Sequence, residues 1–349
     1  MEASFYKYYL DFKRPGGTSR GVLHQKETYY LLIRNGTKTG IGECGLFRGL
    51  SCDDRPDYED KLTWLCDNIH KNTDLLLGEL IEFPSIQFGL EQALMSLKSA
   101  NLFELFPSDF TLGKDQIPIN GLIWMGDESF MTEQISVKLN EGFTTLKMKI
   151  GAIDFDTELK ILRRIRQQFS ASALELRVDA NGAFSTEEAM DKLKELRVYD
   201  IHSIEQPIKA GQLESMQDLC KTSPIPIALD EELIGVVGYV EKKQLLTEIK
   251  PQYIILKPSL VGGFNGSREW IELCESMGIG WWITSALESN IGLNAIAQFT
   301  YSLKSKMLQG LGTGGLFSNN IGSPLFVKNG SLGYDPQQKW SDFKAFLND

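Results

Sequence analysis

The chain has 349 residues, 42% hydrophobic and 23% charged, with a formal net charge of −10; that is enough for a large buried core and one or two domains. The acidic balance, with a pI near 5.0, argues against a surface built to neutralise nucleic-acid phosphates or an anionic membrane, since either needs clustered Lys and Arg. Five scattered cysteines without a CxxC pair suggest neither a disulfide framework nor a zinc site. No apolar run reaches the length of about 18 residues needed to span a membrane, and charges interrupt MEASFYKYYLDFKRPGG at the N-terminus, so a soluble cytoplasmic protein is expected.

Residues 1–113 read as an α+β domain. YKYYLDFKR (6–14), ETYYLLIRNG (27–36) and GIGECGLF (40–47) have strand composition, the second pair joined by a turn at Asn35-Gly36. Helical stretches follow from about Tyr58 to Ile69 and from about Ser85 to Leu102. From 114 to 316 a β/α repeat takes over. Its strand runs are PINGLIW (118–124), TTLKMKIG (144–151), LELRVDANG (174–182), IHSIEQP (201–207), IPIALDEEL (225–233), YIILKPS (253–259), WWITSA (281–286) and KMLQGLG (306–312). Runs spaced by one helix length predict a parallel (β/α) barrel. Asp154 is placed to cap a helix whose Phe155, Leu159, Leu162, Ile165 and Phe169 share a face, and Ser185 with Glu188 forms a capping box. The segment 317–349, with Gly322, Pro324, Gly330, Gly333 and Pro336, shows no helical period until its last residues and is expected to pack back on the first domain.

Lys149, Asp179, Glu205, Asp230 and Lys257 each end an apolar strand run. Side chains of a strand alternate, so Lys147 lies with Lys149 and Arg177 with Asp179. In a barrel this set faces the axis at the C-terminal mouth, where active sites are built. Three carboxylates brought together repel unless a cation holds them, and oxygen ligands point to Mg²⁺ or Mn²⁺. Each residue also has a plainer reading. Alternating Lys147 and Lys149 could mark a half-exposed strand, and Asp179 in DANG could serve an Asx turn. Asp230 competes with Glu231 for the inward position. Counting by twos from Ile225 sends Ile227 and Leu229 to the helices and Asp230 to the axis. His24, His70 and His202 have no partners at strand ends and read as ordinary surface or core histidines.

The ordered motifs FGLEQAL (88–94), KMK (147–149), RVDAN (177–181), IEQP (204–207), LDE (229–231), LKPSLVGG (256–263), TSALES (284–289) and GLGT (310–313) resemble the enolase superfamily and, within it, the o-succinylbenzoate synthases of menaquinone biosynthesis. The resemblance spans nearly the whole chain. It implies a modified (β/α) barrel capped by the α+β domain and a Mg²⁺-dependent lyase acting on a small cyclohexadiene carboxylate. Asp179, Glu205 and Asp230 would hold the metal. Lys149 would be the base and then the acid that assists loss of water, supported by Lys147, while Lys257 on the opposite face would stabilise the enediolate. A lysine base must be neutral part of the time, which nearby positive charge promotes. Arg177, Asn181, Ser285 and Gly312 are candidate substrate contacts, the last two bordering the succinyl group. Loops near Gly16–Gly21 and Arg48–Ser51 would close over the site.

Related activities rank lower. A mandelate-racemase type needs a His base on the seventh strand, and residues 281–289 contain none; dipeptide epimerases tend to carry an Asp-x-Asp on the eighth, and LQGLGTGG (308–315) has no acid. N-acylamino acid racemases and muconate-type cycloisomerases share nearly all the motifs and form the runner-up. A non-catalytic carboxylate-binding barrel would have no need of both lysines. The sequence leaves the oligomeric state open, a homo-oligomer included.

Overall fold

The computed structural model describes residues 1–18 and 21–342; the expected lid residues Ser19 and Arg20, and the helical turn expected at the C-terminal end, lie outside the described residues. Strands β1 (Glu2–Thr18), β2 (Gly21–Asn35) and β3 (Lys38–Cys44) form an antiparallel sheet in the order β1-β2-β3. The first two are longer than their apolar runs, because the backbone pairing continues past a register shift between Asp11 and Gly16 into a two-stranded arm. Asn35 pairs with Lys38 around the turn, where Gly36 supplies a φ of +60°.

Three helices cover this sheet's neighbourhood: α1 (Tyr58–Asn68), α2 (Thr73–Glu79) and α3 (Pro84–Lys98). The short α2 was not expected; the Asn72 side chain starts it by accepting the N–H groups of Asp74 and Leu75. Helix α3 ends before Leu102, because Ser99 turns extended. It lies on β3 at backbone contact. A Cβ on Gly40 would meet the Ala93 carbonyl at 2.1 Å, and one on Gly42 the Gly89 carbonyl at 2.0 Å. Neither backbone can yield cheaply. Gly42→Ala should therefore lower the unfolding free energy by about 3 kcal/mol, read from urea denaturation; an unchanged midpoint would refute this packing.

The barrel opens with β4 (Ile117–Pro118) and β5 (Gly121–Ile123), followed by α4 (Glu128–Asn140), β6 (Thr145–Lys149), α5 (Phe155–Gln168), β7 (Glu175–Asp179), α6 (Ala189–Arg197) and β8 (Ile201–Glu205). The second half comprises α7 (Leu213–Thr222), β9 (Ile227–Leu229), α8 (Tyr239–Ile249), β10 (Tyr253–Leu256), α9 (Gly263–Met277), β11 (Gly280–Ile283) and α10 (Asn290–Ser302). β5 to β11 run parallel in chain order. The expected eighth strand is reduced to two bridging residues: Gln309 pairs with Ile119 and Gly310 with Thr284, joining the two edges of the sheet. Glycines at 310 and 312 give this segment little strand preference.

Outward strand residues such as Leu146, Val178, Ile204, Ile227 and Leu256 pack with the helices in one large core. A separate small cluster of Ala228, Ile255 and Trp282, joined by Tyr253 and Met307, fills the barrel's interior. Asp154 accepts the Thr157 N–H at 3.0 Å. The Ser185–Glu188 box is also formed, with Ser185 N–H to Glu188 Oε1 at 3.0 Å and Glu188 N–H to Ser185 Oγ at 3.3 Å.

After α10 the chain meets the first sheet. Phe317 bridges Phe12, and Asn319 takes the Asp11 N–H at 2.8 Å and donates to the Tyr9 carbonyl. Trp340 stacks on Phe103 with centroids 4.0 Å apart. The hairpin β12 (Leu325–Lys328) and β13 (Ser331–Tyr334) instead pairs with β4 at the barrel's entry.

Cap and barrel are also joined by Glu91 of α3. Its carboxylate accepts the N–H groups of Phe264 and Asn265, at 2.5 and 3.1 Å, in the first turn of α9. Burial pushes this carboxyl from an ordinary 4.5 up to about 7. The folded protein thus binds a proton there that the unfolded chain has released. This contribution to stability is present below about pH 4.5 and is lost as pH rises through about 7. Glu91→Gln should remove that slope, measured from urea midpoints at pH 5 and pH 8; equal slopes in both proteins would refute it.

Candidate active site

The parallel register sets Lys149, Asp179 and Glu205 side by side at the ends of β6, β7 and β8, and Lys147 beside Arg177 one layer below. Asp230 and Lys257 each follow the last residue of their strands, β9 and β10. Alternation within each strand and the shared direction of the parallel strands bring five charges to one mouth. Lys147 Nζ lies 3.0 Å from Asp179 Oδ2 and also pairs with Glu205; Lys149 Nζ lies 2.9 Å from the same Asp179 oxygen and 2.5 Å from Asn181 Oδ1. Lys257 pairs with Asp230. Asp179 closes the Asx turn that its sequence context suggests, its Oδ1 accepting the Asn181 N–H at 3.0 Å, while its Oδ2 faces the lysines. The inward choice at 230 follows the parity count. Glu231 reaches the mouth as well, accepting from Asn181 Nδ2 at 3.0 Å.

Burial alone would lower the Lys147 amine, but Asp179, Glu205 and Asp230 outweigh it and hold it above the ordinary lysine value; Lys257 is held up likewise, chiefly by Asp230. Asp179 is kept ionised below the usual carboxylate range, because Lys147 and Lys149 overcome its burial. Glu205 goes the other way. Burial and the Asp179 charge push it to about 8; its Oε2 meets the Lys147 amine, and its buried Oε1 has no hydrogen-bond partner. A buried carboxylate oxygen left without a partner fits a further cation. Among the described residues no three acidic, His or Cys side chains stand at metal-ligand spacing, because lysine amines lie between the carboxylates. The donor set nonetheless suits a hard divalent cation.

A cleft opens over these groups. Lys147, Lys149, Asp179, Asn181 and Lys257 form its polar floor. Phe47 and Leu50 of the cap, Leu122 and Trp124 of the first barrel strand and its following turn, and Ala286 and Leu287 form its walls. Lys149 and Lys257 stand four strands apart in the ring, so they face a bound molecule from opposite sides.

The family model for the enolase C-terminal domain-like fold matches residues 131–335. The o-succinylbenzoate synthase of Desulfotalea psychrophila is 47% identical over 95% of this chain and 99% of its own length. The chain belongs to the o-succinylbenzoate synthase family of the enolase superfamily. The crystal structure of MenC from the same organism superposes with a TM-score of 0.85 at 44% identity, covering 95% of this chain and 99% of that one. A dipeptide epimerase from Enterococcus faecalis, solved with Mg and L-Leu-L-Tyr, shares the fold with a TM-score of 0.82 at 18% identity, over 95% of this chain and 96% of that one.

In this family member, Asn181, Ser285 and Gly312 line the cleft, and Arg177 does not. Its Nε donates to Glu175 at 2.8 Å and its Nη1 to the Leu308 carbonyl at 3.1 Å, with the guanidinium 4.5 Å from the Trp282 ring. Two residues before Asp179 on the same face means one layer deeper, so Arg177 braces the barrel interior rather than a substrate. His202 is also internal, stacked on Tyr253 at the base where β7 and β8 slip register.

Sequence reasoning named the Arg48–Ser51 loop, which brings Leu50 to the cleft, but missed the walls at Leu122, Trp124 and Leu287, since a pocket leucine and a core leucine look alike. It also missed Gln206, whose Oε1 accepts the Asp230 and Glu232 N–H groups at 3.2 and 3.3 Å and so orients the Asp230 turn. Asn181, Gln206 and Leu287 all take positive φ at strand ends. Such strain concentrates at functional mouths. Gly16 and Gly17 of the β1–β2 arm press on the barrel beside the cleft; a Cβ on Gly16 would meet the Trp124 ring at 3.2 Å and one on Gly17 the Met125 carbonyl at 2.6 Å.

Proposed function

We propose that the chain is a Mg²⁺-dependent hydro-lyase that forms o-succinylbenzoate from a succinyl-hydroxycyclohexadiene carboxylate, a cytoplasmic step of menaquinone biosynthesis. The observation that carries this reading is the pair Lys149 and Lys257, facing one cleft from opposite sides over buried carboxylates. Asp179, Glu205 and Asp230 are the groups that would hold Mg²⁺, or Mn²⁺ in its place. When bound, that cation supplies positive charge at the substrate carboxylate, where negative charge develops as the α-proton leaves.

The chain's own residues account for the rest. Lys149 removes the α-proton and returns it to the departing hydroxide, so that water leaves and the ring becomes aromatic. Lys257 stays protonated, as its carboxylate neighbour favours, and sets a positive charge on the other face. Lys147, held between Asp179 and Glu205, keeps Asp179 ionised and holds both carboxyl groups in place. Phe47, Leu50, Leu122 and Trp124 suit a flat, largely hydrocarbon ring and exclude water from the developing charge. Gly312 leaves room for the succinyl arm. No acid lies in residues 308–315 to receive the ammonium group of a dipeptide, which favours dehydration over epimerisation.

The test is turnover. Purified protein with Mg²⁺ should convert the cyclohexadiene carboxylate to an aromatic product followed by absorbance, and should act far more slowly on L-Ala-L-Glu or an N-acyl amino acid. Epimerisation or racemisation faster than dehydration would overturn the reading.

A further inference from the structure

Behind the cleft lies a charged cluster that the chemistry above does not use. Glu288 is fully buried. Its Oε2 accepts the Ser285 hydroxyl at 2.7 Å and the Ala286 N–H at 2.8 Å, while its Oε1 accepts the Ser259 hydroxyl at 2.5 Å. Ser285 Oγ in turn accepts the Leu287 N–H and the Thr313 hydroxyl, both at 2.9 Å. With its proton given to Glu288 and both lone pairs taken, the Ser285 hydroxyl has nothing left for a substrate. Its work is internal.

The turn that these bonds hold is strained. Leu287 has φ +64° and lines the cleft, a conformation that costs a branched side chain and persists only where its surroundings impose it. The cap supplies the counter-charge. Lys26 of β2 is 5% exposed, and its amine has no hydrogen-bond partner. Burial pushes that amine below the ordinary lysine value, and the charges that oppose this are Glu43 first, then Glu288 and Glu27. Two glycines admit the carboxylate: a Cβ on Gly45 would lie 3.0 Å from Glu288 Cγ, and one on Gly292 would lie 2.8 Å from Glu288 Cβ.

We propose that Glu288 is a positioning residue of the active site, locking the Ser285–Leu287 turn so that Leu287 forms part of the cleft's apolar wall, with Lys26 as the cap's counter-ion to that lock. The wall touches the part of the substrate that does not react, so it governs affinity more than the chemical step. This inference rests on reading the cleft as the synthase site.

The experiment compares Glu288→Gln, Lys26→Met and the double variant in two measurements. Loss of a hydrogen bond to a charged acceptor should raise KM for the cyclohexadiene carboxylate about tenfold in Glu288→Gln while kcat stays within about threefold. Amide hydrogen exchange at Ala286 and Leu287 should accelerate about tenfold or more. Lys26→Met should move both in the same direction by less, and the double variant should be no worse than Glu288→Gln, because Lys26 acts through Glu288. Unchanged KM, a loss confined to kcat, or additive effects would overturn the proposal. If Glu288→Gln does not fold, Lys26→Met decides, and native exchange at 286–287 in that variant sinks it. Failure of the unaltered chain to dehydrate overturns the proposed function, whereas the exchange rates judge the lock independently.

Discussion

Lys149→Ala should lose dehydration by roughly 10² to 10⁴-fold, the contribution of a positioned acid–base group, together with whatever charge stabilisation goes with it. Lys257→Arg should retain measurable turnover. The contrast follows from their surroundings. Lys149 Nζ touches Asp179 and the neutral Asn181 at the floor of the cleft. Lys257 pairs with Asp230 and is held protonated by it. Arginine keeps the charge but cannot act as a base, so it substitutes at 257 and fails at 149. The measurement is steady-state turnover of both Arg variants beside α-proton exchange in an N-acyl amino acid. Racemisation needs an acid and a base on opposite faces and should fail in both. Comparable dehydration by Lys149→Arg and Lys257→Arg would remove Lys149 from its role.

The three carboxylates should separate stability from metal affinity. Asp179→Asn takes the shared partner from Lys147 and Lys149. It should lose both Mg²⁺ binding and about 3–5 kcal/mol of stability, the usual consequence of breaking a buried ion pair from one side. Glu205→Gln should differ. Its carboxyl is pushed to about 8, and Lys147, its ion-pair partner, keeps Asp179, so a neutral amide is tolerated by the fold while Mg²⁺ affinity and turnover collapse. Without metal, the unaltered protein should lose the Glu205 contribution as pH rises from about 4.5 through about 8, because the folded state holds the proton longer than the unfolded chain. Titration calorimetry with Mg²⁺ and thermal melts with and without EDTA check both claims. Full turnover after EDTA treatment would refute the metal site, and Glu205→Gln as destabilising as Asp179→Asn would refute the division of roles.

The ladder was legible because two regularities coincide: a strand turns alternate residues to one side, and parallel strands of a barrel all end at the same mouth. Lys149, Asp179 and Glu205 are neighbours in the sheet for that reason alone. The same parity count chose Asp230 over Glu231. It misled at Arg177, which shares the face of Asp179 but sits a layer deeper, where its long side chain turns to Glu175, Leu308 and Trp282. Local capping chemistry was equally readable at Asp154 and at Ser185 with Glu188, since a cap needs partners only three residues away. The eighth strand illustrates the opposite case. Residues 309–310 are placed by the two edges they bridge and not by any preference of their own.

What the sequence determined by itself is therefore whatever depends on period and on short-range bonding: the order of strands and helices, the axial set of lysines and carboxylates, and the motifs that carry the family. What the tertiary structure alone decided is which apolar residues meet a cleft and which meet the core, and which buried charges answer one another across the cap–barrel junction. Leu122 and Leu287 carry no mark in the chain that separates a wall from a core, and Lys26 and Glu288 lie 262 positions apart. Contacts of that range are set by packing two independently patterned units against each other, and burial, which gives such a pair its strength, exists only once they are packed.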